Sequence, residues 1–172
     1  ERRTGNHIHV VQFVATSVNG VYQVRRDGSD GDGDADLAYF RPSNNRWYVL
    51  GNPSVAYGAA GAIPVPGDYD GDNKADAGVF RPTEMNWYIT LSTGGSRVEN
   101  FGAAGDHPVV ADYDGDRKAD IAVYRPNGSS GGGEWWINFS TGGNRALQFG
   151  MAADLAVPGD YTGDGKADVA IW

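Results

Sequence analysis

No cysteine occurs among the 172 residues, which removes disulfides, zinc–thiolate sites and thiol nucleophiles together and leaves the redox compartment open. Basic side chains are also scarce: 14 stand against 22 acidic ones, a formal net charge of −8, and the only lysines are Lys74, Lys118 and Lys166. That balance opposes a phosphate backbone and leaves no basic stripe, so nucleic acid is excluded as a partner and cations are favoured. No apolar run approaches the roughly 18 residues of a membrane span, and the segment from Glu1 has neither the charged nor the apolar region of a signal peptide. No membrane insertion is expected, and the chain is read as soluble and in mature form. Helical periodicity with caps is missing as well, while Val, Ile, Tyr, Phe and Trp are frequent, which makes the fold class all-β.

What is present is repetition. GDYDGDNKAD at 67–76, ADYDGDRKAD at 111–120 and GDYTGDGKAD at 159–168 are near-copies, and DGSDGDGDAD at 27–36 is a weaker fourth. Each precedes a short apolar run, at 37–40, 77–80, 121–124 and 169–172, with the length and continuity of a strand buried on both faces. Arg41-Pro42, Arg81-Pro82 and Arg125-Pro126 then end the run, because proline has no amide proton for a ladder. A further strand opens at Trp47-Tyr48, Trp87-Tyr88 and Trp135-Trp136, and a turn and strand follow from Tyr57, Phe101 and Phe149 into the next acidic loop. Equivalent loop positions lie 40, 44 and 48 residues apart, room for about four short antiparallel strands per unit, which is the period of a propeller blade.

One repeat domain over residues 1–172 is therefore expected, with units at approximately 14–61, 62–105, 106–153 and 154–172. The N-terminal strand, His7 to Phe13, is expected to complete the last blade, since propellers remove exposed edges by joining the two chain ends in one blade. The sequence leaves open whether closure gives a four-bladed ring, an eight-bladed homodimer or part of a longer propeller.

The acidic loops have the chemistry of a cation site. Asp68, Asp70, Asp72 and Asp76 occupy positions 1, 3, 5 and 9 of one loop, and alternate spacing aims three of them at one point. Ca²⁺ takes six to eight oxygen ligands, and the backbone carbonyl of Lys74 at position 7 adds another while its ammonium is expected in solvent. Asp112, Asp114, Asp116, Lys118 and Asp120 repeat the set. Asp160, Thr162, Asp164, Lys166 and Asp168 form a third with a hydroxyl in place of one carboxylate, so weaker binding is expected there. In the first copy Gly28 takes position 1, leaving Asp30, Asp32, Asp36 and the carbonyl of Asp34. Gly71, Gly115 and Gly163 at position 4 permit the tight turn. Aspartate and glycine also cluster in ordinary turns, yet turn chemistry does not call for four converging carboxylates, which repel one another without a cation. With Asp27, the loops hold 16 of the 22 acidic side chains, and four Ca²⁺ would cancel the formal charge.

These loops, the FGAAG segment and the apolar strand that follows resemble the FG-GAP and VCBS type repeats of the integrin α-subunit propeller and of many secreted bacterial proteins, over roughly residues 13–172. The resemblance implies a β-propeller with a calcium loop in each blade and metal ligands at the positions just named. Gly28, Thr162 and the stretch 19–26 depart from the pattern. The implied role is a secreted or cell-surface binding or adhesion module for a protein or glycan ligand. A lectin with structural calcium is the alternative, and a calcium-dependent polysaccharide-active enzyme is the third reading. No catalytic residue is assigned and the chain is read as a non-enzyme, because almost every carboxylate already belongs to a loop. His7 and His9 are read as solvent-facing on a pairing strand and His107 as a loop residue. Arg41, Arg81 and Arg125 are expected to pair with an acid of the neighbouring unit, and Trp47, Trp87, Trp135 and Trp136 to fill space between sheets.

Overall fold

Residues 22–24, 38–49 and 54–172 are described by the structure, a computed structural model, and all its regular elements there are β-strands. The first acidic loop at 27–36 and the strand expected at 7–13, with His7 and His9, lie outside the described residues.

Three antiparallel meanders follow one another along the chain. The first joins β1 (Tyr22–Val24), β2 (Ala38–Arg41), β3 (Arg46–Val49) and β4 (Val55–Ala56) in that order. The second joins β5 (Ile63–Pro64), β6 (Ala77–Arg81), β7 (Asn86–Thr90) and β8 (Ser96–Asn100), and the third β9 (His107–Pro108), β10 (Ile121–Arg125), β11 (Glu134–Asn138) and β12 (Asn144–Gln148). His107 thus pairs with Tyr124 as part of a short strand and is not a loop residue, although its side chain is exposed. In the second and third meanders the acidic loop connects the first strand to the second.

The register explains the recurring aromatics. Phe40 faces Trp47, Phe80 faces Trp87 and Tyr124 faces Trp135 across neighbouring strands. The ring centroids are 5.4, 5.0 and 5.3 Å apart in tilted packing, a favourable aromatic geometry. The indole N–H groups of Trp87 and Trp135 donate to the carbonyls of Phe101 and Phe149 at 2.9 and 3.0 Å, which ties the third strand to the turn after the fourth. Strand alternation sends Trp136 to the opposite face, where it is 37% exposed beside Arg125, so it does not fill space between sheets.

One core cluster unites Val65, Phe80, Trp87 and Ile89 with Val110, Ile121 and Val123, so the second and third meanders share a core. Another unites Ala122, Tyr124, Trp135 and Ile137 with Ala156, Val169 and Ile171. The last repeat folds back on itself as a ribbon held by isolated bridges, Ala156 to Ile171 and Gly159 to Asp168, and closed by reciprocal bonds of 2.9 Å between Leu155 and Trp172. Trp172 holds the repeat position of Phe40, Phe80 and Tyr124, which are at most 1% exposed, yet it is 85% exposed. Among the described residues no tryptophan-bearing strand pairs beside it.

Candidate metal centre

The acidic loops are closed at their bases and tied internally by their own first aspartate. Asp76 N–H donates to the Gly67 carbonyl and Asp120 N–H to that of Ala111, both at 2.8 Å, and Asp168 N–H to that of Gly159 at 2.7 Å. Inside the first described loop, Asp68 accepts the Gly71 N–H at 2.6 Å on one oxygen and the Asn73 N–H at 2.8 Å on the other. Asp112 does the same with Gly115 and Arg117, at 2.6 and 2.8 Å. Such a tight wrap needs left-handed backbone, found at Gly71 and Gly115 (φ +87° and +85°) and again at Asn73 and Arg117 (φ 65° and 70°).

This wrapping gathers carboxylates. Oxygens of Asp68, Asp70 and Asp76 lie within 4.8 Å of one another, and so do oxygens of Asp112, Asp114 and Asp120. The two triads occupy equivalent positions 1, 3 and 9. Asp72 and Asp116 stand outside them and accept the Lys74 and Lys118 N–H groups at 2.8 Å. In the third loop Asp160, Asp164 and Asp168 form no such group. There Asp168 turns one oxygen to both the Tyr161 and Thr162 N–H groups, at 2.9 and 3.0 Å.

The ninth-position aspartates are the deepest. Asp76 is 1% exposed and Asp120 is fully buried. Each is held by two backbone amides: Tyr69 at 2.8 Å and Ser92 at 2.7 Å for Asp76, Tyr113 at 2.8 Å and Ser140 at 2.7 Å for Asp120. Burial nevertheless outweighs these bonds and pushes the Asp120 carboxyl up to about 6, with neighbouring Asp114 and Asp112 adding to the rise. Asp68, Asp76 and Asp112 are raised for the same first cause. Asp70 moves the other way, lowered chiefly by the hydroxyl of Thr93. Carboxyls crowded and raised in this manner are short of positive charge.

Four partners of the loops escaped the sequence reading. Ser92 and Thr93 donate their hydroxyls to Asp72 and Asp70, and Ser140 and Thr141 donate theirs to Asp116 and Asp114. They sit in the hairpins after β7 and β11, where the tetrapeptide STGG recurs at 92–95 and 140–143, so the signal was present. Asp106, 3% exposed, was missed too: it takes a two-point contact from Arg125 at 2.8 and 3.0 Å and the Ala103 N–H at 2.7 Å. Arg125 thus pairs within its own meander, as Arg81 does with Glu84 at 3.3 Å, while Arg41 binds the hydroxyls of Tyr39 and Tyr48. The expectation of acids from a neighbouring unit fails here because closer partners stand in the same meander: Glu84 in the turn after Arg81, Asp106 just before β9 for Arg125, and Tyr39 and Tyr48 on the paired strands for Arg41.

The lysines reach from loop to loop. The stems of Lys118 and Lys166 lie across the preceding loops, against Gly71 and Gly115, and Lys166 remains exposed. A β-carbon added at Gly71 would come 2.9 Å from Lys118 Cε, and one at Gly115 3.1 Å from Lys166 Cε.

Carboxylate oxygen is a hard donor, and a triad from one loop leaves several positions for carbonyls and water, which suits Ca²⁺ or Mg²⁺ better than a soft metal. The two gathered triads can hold a metal ion. No protein-family model, curated protein or solved structure matches the chain.

Proposed function

We propose that the chain is a calcium-stabilised β-propeller of the FG-GAP and VCBS kind, acting outside the cell as a binding or adhesion module. The observation that carries this reading is the convergence of three carboxylates, in two loops at the same register, on points less than 4.8 Å across. Asp68, Asp70 and Asp76 would hold one ion and Asp112, Asp114 and Asp120 another, with the carbonyls of Lys74 and Lys118 as further ligands. The hydroxyls of Ser92, Thr93, Ser140 and Thr141 orient the carboxylates from outside, a supporting role that tunes affinity. Ca²⁺ supplies the positive charge that buried Asp76 and Asp120 are short of, so binding energy becomes folding energy.

Successive four-stranded meanders with a shared core support blades, and residues 7–13 are the strand we assign to complete the sheet begun by the 155–172 ribbon. No side chain is assigned to catalysis. Thermal unfolding in Ca²⁺ and in chelator tests the coupling: a higher midpoint in Ca²⁺ is expected, and an unchanged one overturns it.

A further inference from the structure

The acidic loops are joined to one another by the main chain. Ala119 donates its N–H to the carbonyl of Asp68 at 2.6 Å, and Ala167 donates to that of Asp112 at 2.7 Å. The acceptor is in each case the first aspartate of the preceding loop. The donor follows directly on Lys118 or Lys166, whose carbonyl would, on the cation reading, be the seventh-position ligand of its own loop. Carbonyl and N–H of one peptide belong to a single planar, conjugated group, so they cannot move independently. Lys118 C=O and Ala119 N–H therefore face two different loops from one rigid plate, and Lys166 with Ala167 repeats the arrangement.

Packing leaves the plate little freedom. A β-carbon at Gly67 would come 2.7 Å from the Ala119 Cβ, and the Lys118 stem covers Gly71. Ala119 is itself buried and belongs to the core shared by the second and third meanders. A shift of one loop must then be taken up by the other, since close-packed interiors transmit strain.

We propose that the two loops with gathered carboxylates take up cations cooperatively, an ion in the later loop tightening its predecessor through the Lys118–Ala119 peptide. The inference rests on the cation reading of the loops given above. A cation held on the Lys118 oxygen would polarise the peptide and strengthen its N–H as a donor, as chained hydrogen bonds strengthen one another. The Asp68 main chain is thereby fixed in the position from which its carboxylate closes the preceding triad. By linkage the effect is reciprocal, and coupling of this kind is worth about 5-fold or more in affinity. Repulsion between the two ions opposes it and is removed by salt, because the Debye length falls to about 3 Å at about 1 M.

The test is a titration of the ¹⁵N-labelled chain with CaCl₂ at about 1 M KCl. The amides of Gly71 and Gly115 report the two loops separately, each being bonded to its own first aspartate at 2.6 Å. Asp114→Asn disables the later loop and is expected to raise the Gly71 midpoint about 5-fold, while Asp70→Asn raises that of Gly115 by the same factor. The remaining cross-peaks of the same spectra report whether each variant keeps its fold. Midpoints unchanged or lowered by the variants overturn the coupling and leave the cation reading standing. If neither glycine amide moves in the unaltered chain, the cation reading itself falls, and the coupling with it.

Discussion

Replacing Asp120 by Asn separates the cost of a buried charge from the gain of a bound ion. The side chain is fully buried and accepts N–H groups from Tyr113 and Ser140 at 2.8 and 2.7 Å. Without an ion at pH 7, the ionised carboxyl, pushed up from 3.8 to about 6, costs stability. At ~1.4 kcal/mol per pH unit, that cost is about 3 kcal/mol. Asparagine removes the charge but points an NH₂ at one of the two donors, losing a buried bond worth about 1–3 kcal/mol. The two terms nearly cancel, so in chelator the variant should melt close to the parent. With Ca²⁺ at about 100 times its Kd, the parent gains about 2.7 kcal/mol from the ion in this loop, and the variant forfeits it. For a chain of this size that is a Tm lower by about 5–10 °C, seen only with Ca²⁺. Calorimetric melts of both proteins under both conditions are the assay. A drop of equal size in chelator would refute the reasoning, since it would make Asp120 a structural hydrogen-bonder and nothing more.

Three further outcomes follow from the same contacts. A raised carboxyl stabilises the fold fully below its unfolded value near 3.8, and that contribution is lost as pH rises through about 6 for Asp120. In chelator, melting temperature should therefore climb as pH falls from 7 to about 5, while the benefit of Ca²⁺ shrinks over the same interval because protons compete for its ligands; Asp70, lowered by Thr93, titrates below this window. Arg125→Ala leaves Asp106 buried without its ion pair and should cost about 3–5 kcal/mol in urea unfolding, whereas Arg81→Ala, whose partner Glu84 is exposed, should cost less than about 1 kcal/mol. Gly78→Ala drives a β-carbon into the Val65 carbonyl, backbone that pairs β5 with β6, and a loss of about 1–3 kcal/mol is expected by the same measurement.

Local chemistry made most strands legible. Arg-Pro marks where β2, β6 and β10 stop, and the Trp-Tyr or Trp-Trp pair marks β3, β7 and β11, because a proline and an aromatic pair act through their immediate neighbours. The aspartates of two loops were legible in part: positions 1, 3 and 9 are gathered, while the fifth-position Asp72 and Asp116, which alternate spacing aims at the same point, turn to the Lys74 and Lys118 N–H groups. What escaped was long in sequence separation. Ser92 reaches Asp72 across 20 residues and Thr141 reaches Asp114 across 27, and neither partnership has a local signature beyond the repeated STGG. The cover that the stems of Lys118 and Lys166 give to Gly71 and Gly115 is likewise a contact between loops 44 to 48 residues apart in the repeat. The third loop was expected to be weaker for want of one charge. Its geometry adds a second reason, since no Ser-Thr hairpin donates to Asp164 or Asp168 among the described residues.

Elemental analysis of the chain after exchange into buffer that contains Ca²⁺ and no other divalent metal, with the free ion measured alongside, reads the ion directly. Two or more Ca²⁺ per chain are expected, at least one for each gathered triad. Protein that is folded and carries no calcium would contradict the account.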